Sequence, residues 1–156
     1  MTIGKPARTV VVRAATGADE AAWRELWSGY NRFYDVALPE NVTAATWARV
    51  LDPASSLCAL VAVAGTGDVV GLANYVLHPR TYSEHLACYL EDLFVRADVR
   101  GSGAGRALID ALLERGRAAG WSRLYWHTRE DNAVARRLYD RYVARDDFVR
   151  YDIELR

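Results

Sequence analysis

The residues best suited to chemistry in this chain are three closely spaced glycines, in the stretch Arg100-Gly101-Ser102-Gly103-Ala104-Gly105-Arg106. A β-prone, largely apolar run over 89–95 precedes them, and apolar residues at helical spacing follow as far as Gly120. Glycines between a strand and a helix let backbone N–H groups turn toward one point, where the helix N-terminus adds positive potential. The pattern therefore predicts a phosphate-binding loop.

Two common phosphate loops do not match this stretch. A Walker A loop continues as Gly-Lys-Ser/Thr into its helix, whereas Gly105 is followed by Arg106 and Ala107. A dinucleotide fingerprint read from Gly101 needs Gly or Ala at position 106, which is arginine. For an isolated glycine loop, a flexible strand-to-helix connection is the usual alternative, so the residues on either side must decide.

A second group of polar residues lies on a helix predicted to begin near Asn132, for which Asp131 or Asn132 is a good N-cap. Residues three, four and seven positions apart share one face of a helix. On this helix those residues are Asn132, Ala135, Arg136 and Tyr139. A structural alternative makes Asn132 only a cap and Tyr139 only a core aromatic residue.

The two patterns together, Arg100-x-x-Gly103-x-Gly105 and then Asn132-x-x-Ala135-x-x-Leu138-Tyr139, resemble the GNAT (GCN5-related) N-acetyltransferases. Residues 89–95 look like the matching strand of the polyamine and thialysine acetyltransferases. Residues 124–132 are similar to the yeast histone and polyamine acetyltransferase branch. The resemblance implies one α+β domain over 1–156, an α/β three-layer sandwich whose mixed central sheet is flanked by helices. It also implies direct transfer of an acetyl group from acetyl-CoA to a primary amine of a polyamine-like or amino-acid-like molecule.

The resemblance further implies which residues bind acetyl-CoA and which act on it. In the family the matching asparagine contacts the pantetheine arm and the tyrosine protonates the leaving thiolate, so Asn132 and Tyr139 take these roles. The expected cofactor-binding residues are Leu93, Phe94, Val95, Arg100, Gly101, Ser102, Gly103, Ala104, Gly105, Arg106, Asn132, Arg136 and Tyr139. One departure follows the tyrosine helix, where Asp146-Asp147-Phe148 replaces the common Gly-Phe pair and affects the final turn and hairpin.

Two adjacent carboxylates, Glu91 and Asp92, could deprotonate and bind an amine. Primary alkylamines are mostly ammonium ions at neutral pH, so a carboxylate acceptor is useful. A regular strand would place the two on opposite faces, but GNAT enzymes carry a bulge here, which can also free a backbone N–H for the acetyl oxygen. By analogy with the polyamine enzymes, Glu91 is expected to be the base, through water, and Asp92 the amine-binding group. Solvated strand carboxylates are the alternative.

Three further residues are candidates for the acceptor-binding site. Phe33 and Tyr34 are predicted to lie just beyond a helix, where GNAT enzymes build a substrate wall and an aromatic face could bind a cation. His127 is predicted to face away from Trp126 and could line the acceptor channel. A satisfied strand histidine is the favoured alternative for His127.

Composition supports an ordinary globular enzyme. The 156 residues are 51% hydrophobic and 26% charged, with twenty basic and twenty acidic residues, and no basic block indicates nucleic-acid binding. Met1–Arg8 lacks the apolar core of a signal peptide, and no apolar run could span a bilayer, so a cytoplasmic protein is expected. Cys58 and Cys88 are expected to be buried in strands, and no metal-ligand spacing is present, so no metal is expected.

Periodicity and turn residues predict the following order of elements. The predicted strands are Val10–Ala14, Leu57–Ala64, Val69–Leu77, Tyr89–Val95, Trp121–Thr128 and a pair near Asp147–Leu155, and the helices begin near Asp19, Thr43, Gly105 and Asn132. A hairpin turn is expected at 65–68. The resemblance to homodimeric branches, with the alternation in 148–155, predicts a homodimer formed through C-terminal strands. Alternatives for function are a protein lysine or N-terminal acetyltransferase and a non-catalytic acyl-CoA-binding module.

Overall fold

The computed structural model of the protein describes residues 9–155, so the expectation for Met1–Arg8 lies outside the described residues. The chain forms two compact units, which divide between Trp126 and His127. The single domain expected over residues 1–156 therefore stays a prediction. Over residues 9–155, no helix is both long enough and apolar enough to cross a membrane.

The first unit is built on a five-stranded mixed sheet with the strand order β1-β2-β3-β4-β5. Its strands are β1 (Val10–Ala14), β2 (Leu57–Ala64), β3 (Val69–Arg80), β4 (Ser83–Val95) and β5 (Arg123–Trp126), and its helices are α1 (Glu20–Phe33), α2 (Glu40–Leu51) and α3 (Ala104–Ala119). Neighbouring strands from β1 to β4 are antiparallel, whereas β5 pairs with β4 in parallel across the α3 crossover. The mixed sheet flanked by helices is as predicted.

Alternate residues of β3 show which helices cover each face of the sheet. Leu72 belongs to the same buried cluster as Trp23 of α1 and Trp47 of α2. Gly71, one residue earlier, lies so close to Leu108 of α3 that an added Cβ would be 3.3 Å from that side chain. Helices α1 and α2 therefore lie on one face and α3 on the other, which gives the three layers expected from the resemblance.

Several predicted bounds are wrong, all at the ends of elements. α1 continues through Phe33, so this residue closes the helix instead of following it. β5 ends at Trp126, and His127 therefore lies outside the strand. The strand stops there because Trp126, opposite Leu90, is the last β5 residue that pairs with β4. Cys88 is buried as predicted, whereas Cys58 is only half-buried.

The second unit contains one short helix, α4 (Ala133–Tyr139), and a C-terminal segment, 144–155, without helix or strand. The strands predicted near Asp147–Leu155 are therefore wrong. A strand is stable only where a neighbour completes its backbone hydrogen bonds, and the sheet ladders of the described chain do not include this segment. Its large apolar side chains are exposed, from 72% at Val149 to 91% at Tyr151.

Candidate active site

A β-bulge in β4 separates the two candidate carboxylates. Asp92 is opposite Asn74 of β3, and Leu90 is opposite Tyr75, so Glu91 is an extra residue without a partner in that register. The side chain of Glu91 is exposed, whereas that of Asp92 is buried at 8% exposure. The bulge expected from the resemblance is thus present, and it gives the adjacent carboxylates different environments.

The bulge lies where β4 and β5 separate. The parallel ladder runs from Ala87 opposite Arg123 to Leu90 opposite Trp126 and ends there. From Leu93 to Val95, β4 pairs with β3 on one side only. The other edge of this segment, which contains the predicted cofactor residues Leu93, Phe94 and Val95, therefore has backbone groups that can bind an extended ligand.

Asp92 is held by side chains from two neighbouring elements. The Nδ2 amide of Asn74 donates to Asp92 Oδ2 at 3.0 Å, and the Tyr30 hydroxyl of α1 also hydrogen-bonds this carboxylate. The indole Nε1–H of Trp23 donates to Asn74 Oδ1 at 3.0 Å. A continuous chain of hydrogen bonds therefore runs from α1 through β3 to the carboxylate in β4.

Burial dominates the electrostatics of this carboxylate. It raises the pKa of Asp92 to about 6, despite the hydrogen bonds from Asn74 and Tyr30, which favour the ionised form. The same surroundings and the nearby negative charge raise the pKa of Tyr30 well above its usual range, so its hydroxyl stays a donor. A carboxylate with a pKa near neutrality is suited to exchanging a proton with, or pairing with, an amine.

The glycine loop has the geometry of an anion site. Gly101 and Gly103 have φ values of +80° and +90°, and Gly103 is the N-cap of α3. The first helical bond within this turn is donated by Ala107 to the Gly103 carbonyl, at 2.9 Å. Because the N–H groups at the start of a helix have no acceptor within it, those of 104–106 form an N-terminal donor set.

Ser102 supplies a second indication of a ligand in this loop. Its Oγ is shielded from solvent, yet it has no hydrogen-bond partner among the described residues. A buried hydroxyl without a partner is costly, and an oxygen of a bound phosphate would satisfy it. The loop thus combines a helix N-terminus with an unsatisfied polar side chain, which fits the pyrophosphate predicted from the sequence.

Arg100 and Phe94 connect the loop with the site in β4. The guanidinium of Arg100 lies 5.5 Å from the centre of the Phe94 ring, and its Nε donates to the Val95 carbonyl at 3.2 Å. Phe94 also packs so closely against α1 that a Cβ at Gly29 would be 2.8 Å from the ring. Arg106 is exposed and forms an ion pair with Asp110 one helical turn later.

The aromatic residues of α1, together with Tyr34 just after it, form a ladder toward the predicted substrate wall. The ladder comprises Trp23, Trp27, Tyr30 and Tyr34, whose ring centres are 4.8–5.7 Å from their neighbours. Phe33 meets Tyr34 edge-on at 5.0 Å and is 56% exposed. An exposed aromatic edge beside the helix that holds Asp92 can attract a cationic ligand.

The second unit holds the remaining predicted residues. Asn132 is the N-cap of α4: its side chain accepts from the Ala135 N–H at 3.4 Å and donates to Thr128 at 3.1 Å. Arg136 donates to the Glu130 carbonyl at 2.6 Å. Tyr139 is the last helical residue and is half-buried. The predicted helix face is present, since its four members are half-buried, whereas Ala133, Val134 and Arg137 on the other side are exposed.

His127 is exposed beyond the end of β5. The expected strand placement does not hold for this residue.

Comparison with protein families decides to which family the chain belongs. The Acetyltransferase (GNAT) family matches residues 21–143, most of the chain. The chain belongs to the GNAT family. It is therefore an acetyl-CoA-dependent N-acetyltransferase, as the glycine loop and the Asn132–Tyr139 pattern led us to expect.

This acetyltransferase is similar to the D-amino-acid N-acetyltransferase HPA3 of Saccharomyces cerevisiae. The two are 34% identical over 143 residues, which cover 91% of this chain and 89% of the yeast protein.

Solved structures resemble it in fold. A ribosomal-protein-alanine N-acetyltransferase from Brucella melitensis biovar Abortus 2308 matches with a TM-score of 0.78 at 23% identity, covering 94% of this chain and all of that one. AAC(6')-Iy, solved with a bisubstrate analogue containing CoA, also matches with a TM-score of 0.78, at 18% identity over 94% of this chain and 99% of that one.

The residues that hold Asp92 were not predicted from the sequence. Asn74, Trp23 and Tyr30 are not among the expected site residues. One available signal was an asparagine inside the apolar run Val69–Leu77, because a polar residue in a buried strand needs partners. The identity of those partners depends on contacts between residues far apart in the sequence.

Proposed function

We propose that this acetyltransferase acetylates the primary amine of a small molecule of polyamine or amino-acid type by direct transfer from acetyl-CoA. The observation that carries the proposal is the buried Asp92 carboxylate, which lies next to the bulge at Glu91. A carboxylate in such a place favours a cationic group that replaces its lost hydration. The substrate in the name of the yeast relative favours the amino-acid end of this range.

In this proposal the two carboxylates divide the work on the acceptor. Asp92 binds the ammonium form, and Glu91, exposed on the bulge, takes a proton from it through water. The neutral amine then attacks the thioester carbonyl, forming the C–N bond and breaking the C–S bond. Tyr139 supplies the proton for the departing thiolate, and the proton that the acetylated nitrogen loses restores the Tyr139 hydroxyl. Phe33, Tyr34 and His127 contribute to the acceptor wall.

The cofactor in this proposal is bound by backbone and polar groups. The pyrophosphate accepts hydrogen bonds from the N–H groups of Gly101 and of 103–106 and from the Ser102 hydroxyl, with Arg100 and Arg106 adding positive charge. The edge of Leu93–Val95 that has no neighbouring strand in the described chain binds the pantetheine arm. Asn132 and Arg136 are the residues of α4 that bind the cofactor. No metal takes part.

Incubation with acetyl-CoA and a panel of polyamines and L- and D-amino acids tests the proposal. Free CoA should appear with at least one amine and should be strongly reduced in Asp92→Asn. Stronger acetylation of peptides than of any free amine would assign the enzyme to protein acceptors instead. Tight CoA binding without transfer to any acceptor would make it a binding module.

We also propose that the enzyme is a homodimer formed through its C-terminal segment and works in the cytoplasm. Five large apolar side chains of that segment are more than 70% exposed: Phe148, Val149, Tyr151, Ile153 and Leu155. Apolar surface of this density is normally covered, and a second copy can pair with it as a strand. Light scattering should give a dimer mass that falls to a monomer mass in Ile153→Lys. A monomeric wild-type protein at micromolar concentration would contradict the dimer.

A further inference from the structure

Asn74 lies at the centre of the buried hydrogen-bond chain that ends at Asp92. Its side chain is 1% exposed, and both of its polar atoms have partners: Oδ1 accepts from Trp23 Nε1 and Nδ2 donates to Asp92 Oδ2, each at 3.0 Å. An indole N–H can only donate, so it fixes the amide with its oxygen toward Trp23. The amide NH₂ must then point at the carboxylate.

We infer that Asn74, oriented by Trp23, is a positioning residue that keeps Asp92 ionised and fixes the direction in which it presents its oxygens to the acceptor amine. The inference rests on the proposed role of Asp92. It adds a residue on β3 and a residue on α1 that act through the carboxylate and contact no substrate.

The need for such a residue follows from the surroundings of Asp92. Burial disfavours the carboxylate, and the neighbouring charge of Glu91 in β4 disfavours it further. The facing groups that favour the ionised form of Asp92 are the Asn74 amide from β3 and the Tyr30 hydroxyl from α1. Two further titratable groups, Tyr34 and Tyr89, lie near Tyr30. Without the Asn74 donor, Asp92 would hold its proton to higher pH and would bind an ammonium ion less well.

The variant Asn74→Leu tests this inference, because leucine has a similar size but neither donor nor acceptor. Loss of one hydrogen bond to a charged group should move the acid limb of kcat/KM upward by about 1 pH unit. For a limb that moves from about pH 6 to about pH 7, kcat/KM should fall about threefold at pH 6.5 and recover almost fully at pH 8. Trp23→Phe frees the amide to turn over and should give a smaller shift in the same direction.

A control separates positioning from loss of stability. Ile109→Val removes one methylene from a fully buried residue of α3, on the other face of the sheet, and should leave the acid limb in place. Melting temperatures of all variants show how far the fold is weakened. An acid limb that is unmoved in Asn74→Leu, or moved equally in Ile109→Val, would overturn the inference.

A direct titration distinguishes this inference from the proposed function. The ¹³Cγ shift of Asp92, assigned with Asp92→Asn, reports its protonation without any substrate. Its midpoint should rise in Asn74→Leu relative to wild type, whether or not an acceptor is known. If the midpoint rises and no amine is acetylated, the proposed function fails and the control of Asp92 by Asn74 stands. An unchanged midpoint overturns the control itself.

Discussion

Replacing Asp92 by asparagine should make the folded protein more stable while removing most of its activity. Stabilisation is expected because the buried carboxylate is disfavoured by its surroundings: its pKa is raised from 3.8 to about 6. Asparagine has nearly the same shape, carries no charge, and can still accept a hydrogen bond from Asn74. The two effects together would be typical of a residue kept for function at a cost in stability.

The size and pH dependence of the effect follow from linkage between proton binding and folding. Because the folded-state pKa of Asp92 lies above the unfolded-state value, the folded chain binds more protons between about pH 4 and pH 6. The free energy of unfolding therefore falls as the pH rises through this window. A pKa raised by about 2 pH units lowers the free energy of unfolding by roughly 3 kcal/mol above pH 6. Relative to wild type, Asp92→Asn should gain about 2–3 kcal/mol at pH 7.5 and only about 1 kcal/mol at pH 4.5.

Urea unfolding at pH 4.5 and pH 7.5, with CoA release measured on the same preparations, provides the assay. The difference in the free energy of unfolding between variant and wild type must grow with pH, since the effect of a packing change alone would be nearly independent of pH. Asp92→Asn that is destabilised by the same amount at both pH values would refute the electrostatic reasoning. Wild-type turnover in this variant would remove Asp92 from the acceptor site.

Three further changes test other parts of the structure. Gly103→Ala should weaken acetyl-CoA binding about 5–30-fold in calorimetry, because an alanine held in the left-handed conformation costs roughly 1–2 kcal/mol. The control is Gly67→Ala, in a hairpin turn with the same φ of +90°, which should lower stability but leave binding unchanged. Asp19→Asn should lose about 1–2 kcal/mol at pH 7, because paired hydrogen bonds from the partly exposed Arg13 lower the pKa of Asp19 to about 2. That difference should disappear as the pH falls from about 4 to 2, and urea unfolding at pH 7 and 2.5 checks it. Tyr139→Phe should lower kcat by about 10²–10⁴-fold with little change in melting temperature, and wild-type kcat would exclude it as the acid.

Local patterns predicted the parts of this fold that local physics determines. The glycine loop could be placed from the strand before it and the helix after it, and its positive φ values at Gly101 and Gly103 are those that glycine permits. Of the two N-cap candidates, Asp131 and Asn132, the second is the cap, and such a site can be predicted because a capping side chain bonds within its own first turn. In each of these cases the deciding contacts are made within a few residues in the chain.

The wrong predictions concern elements whose structure depends on partners far away in the sequence, or on a neighbouring strand that is absent from the described chain. The end of β5 is set by where its pairing with β4 ends, which no pattern in Trp121–Thr128 records. The alternation in 148–155 was interpreted as a strand, but alternation predicts a face and does not supply the neighbouring backbone. The partners of Asp92 were missed for the same reason, since Trp23 and Asn74 are 51 positions apart.

The bulge at Glu91 shows how one extra residue creates the candidate site. In β3, Asn74 faces α1, and Tyr75, which is opposite Leu90, faces the α3 layer. Strict alternation from Leu90 would therefore turn Glu91 toward α1 and Asp92 toward the apolar layer beneath α3. With Glu91 left out of register, Asp92 comes opposite Asn74 and reaches the hydrogen bonds of Tyr30. A single-residue deletion at Glu91 should thus remove the candidate base and the bulge, while Asp92, now directly after Leu90, stays opposite Asn74 and faces α1.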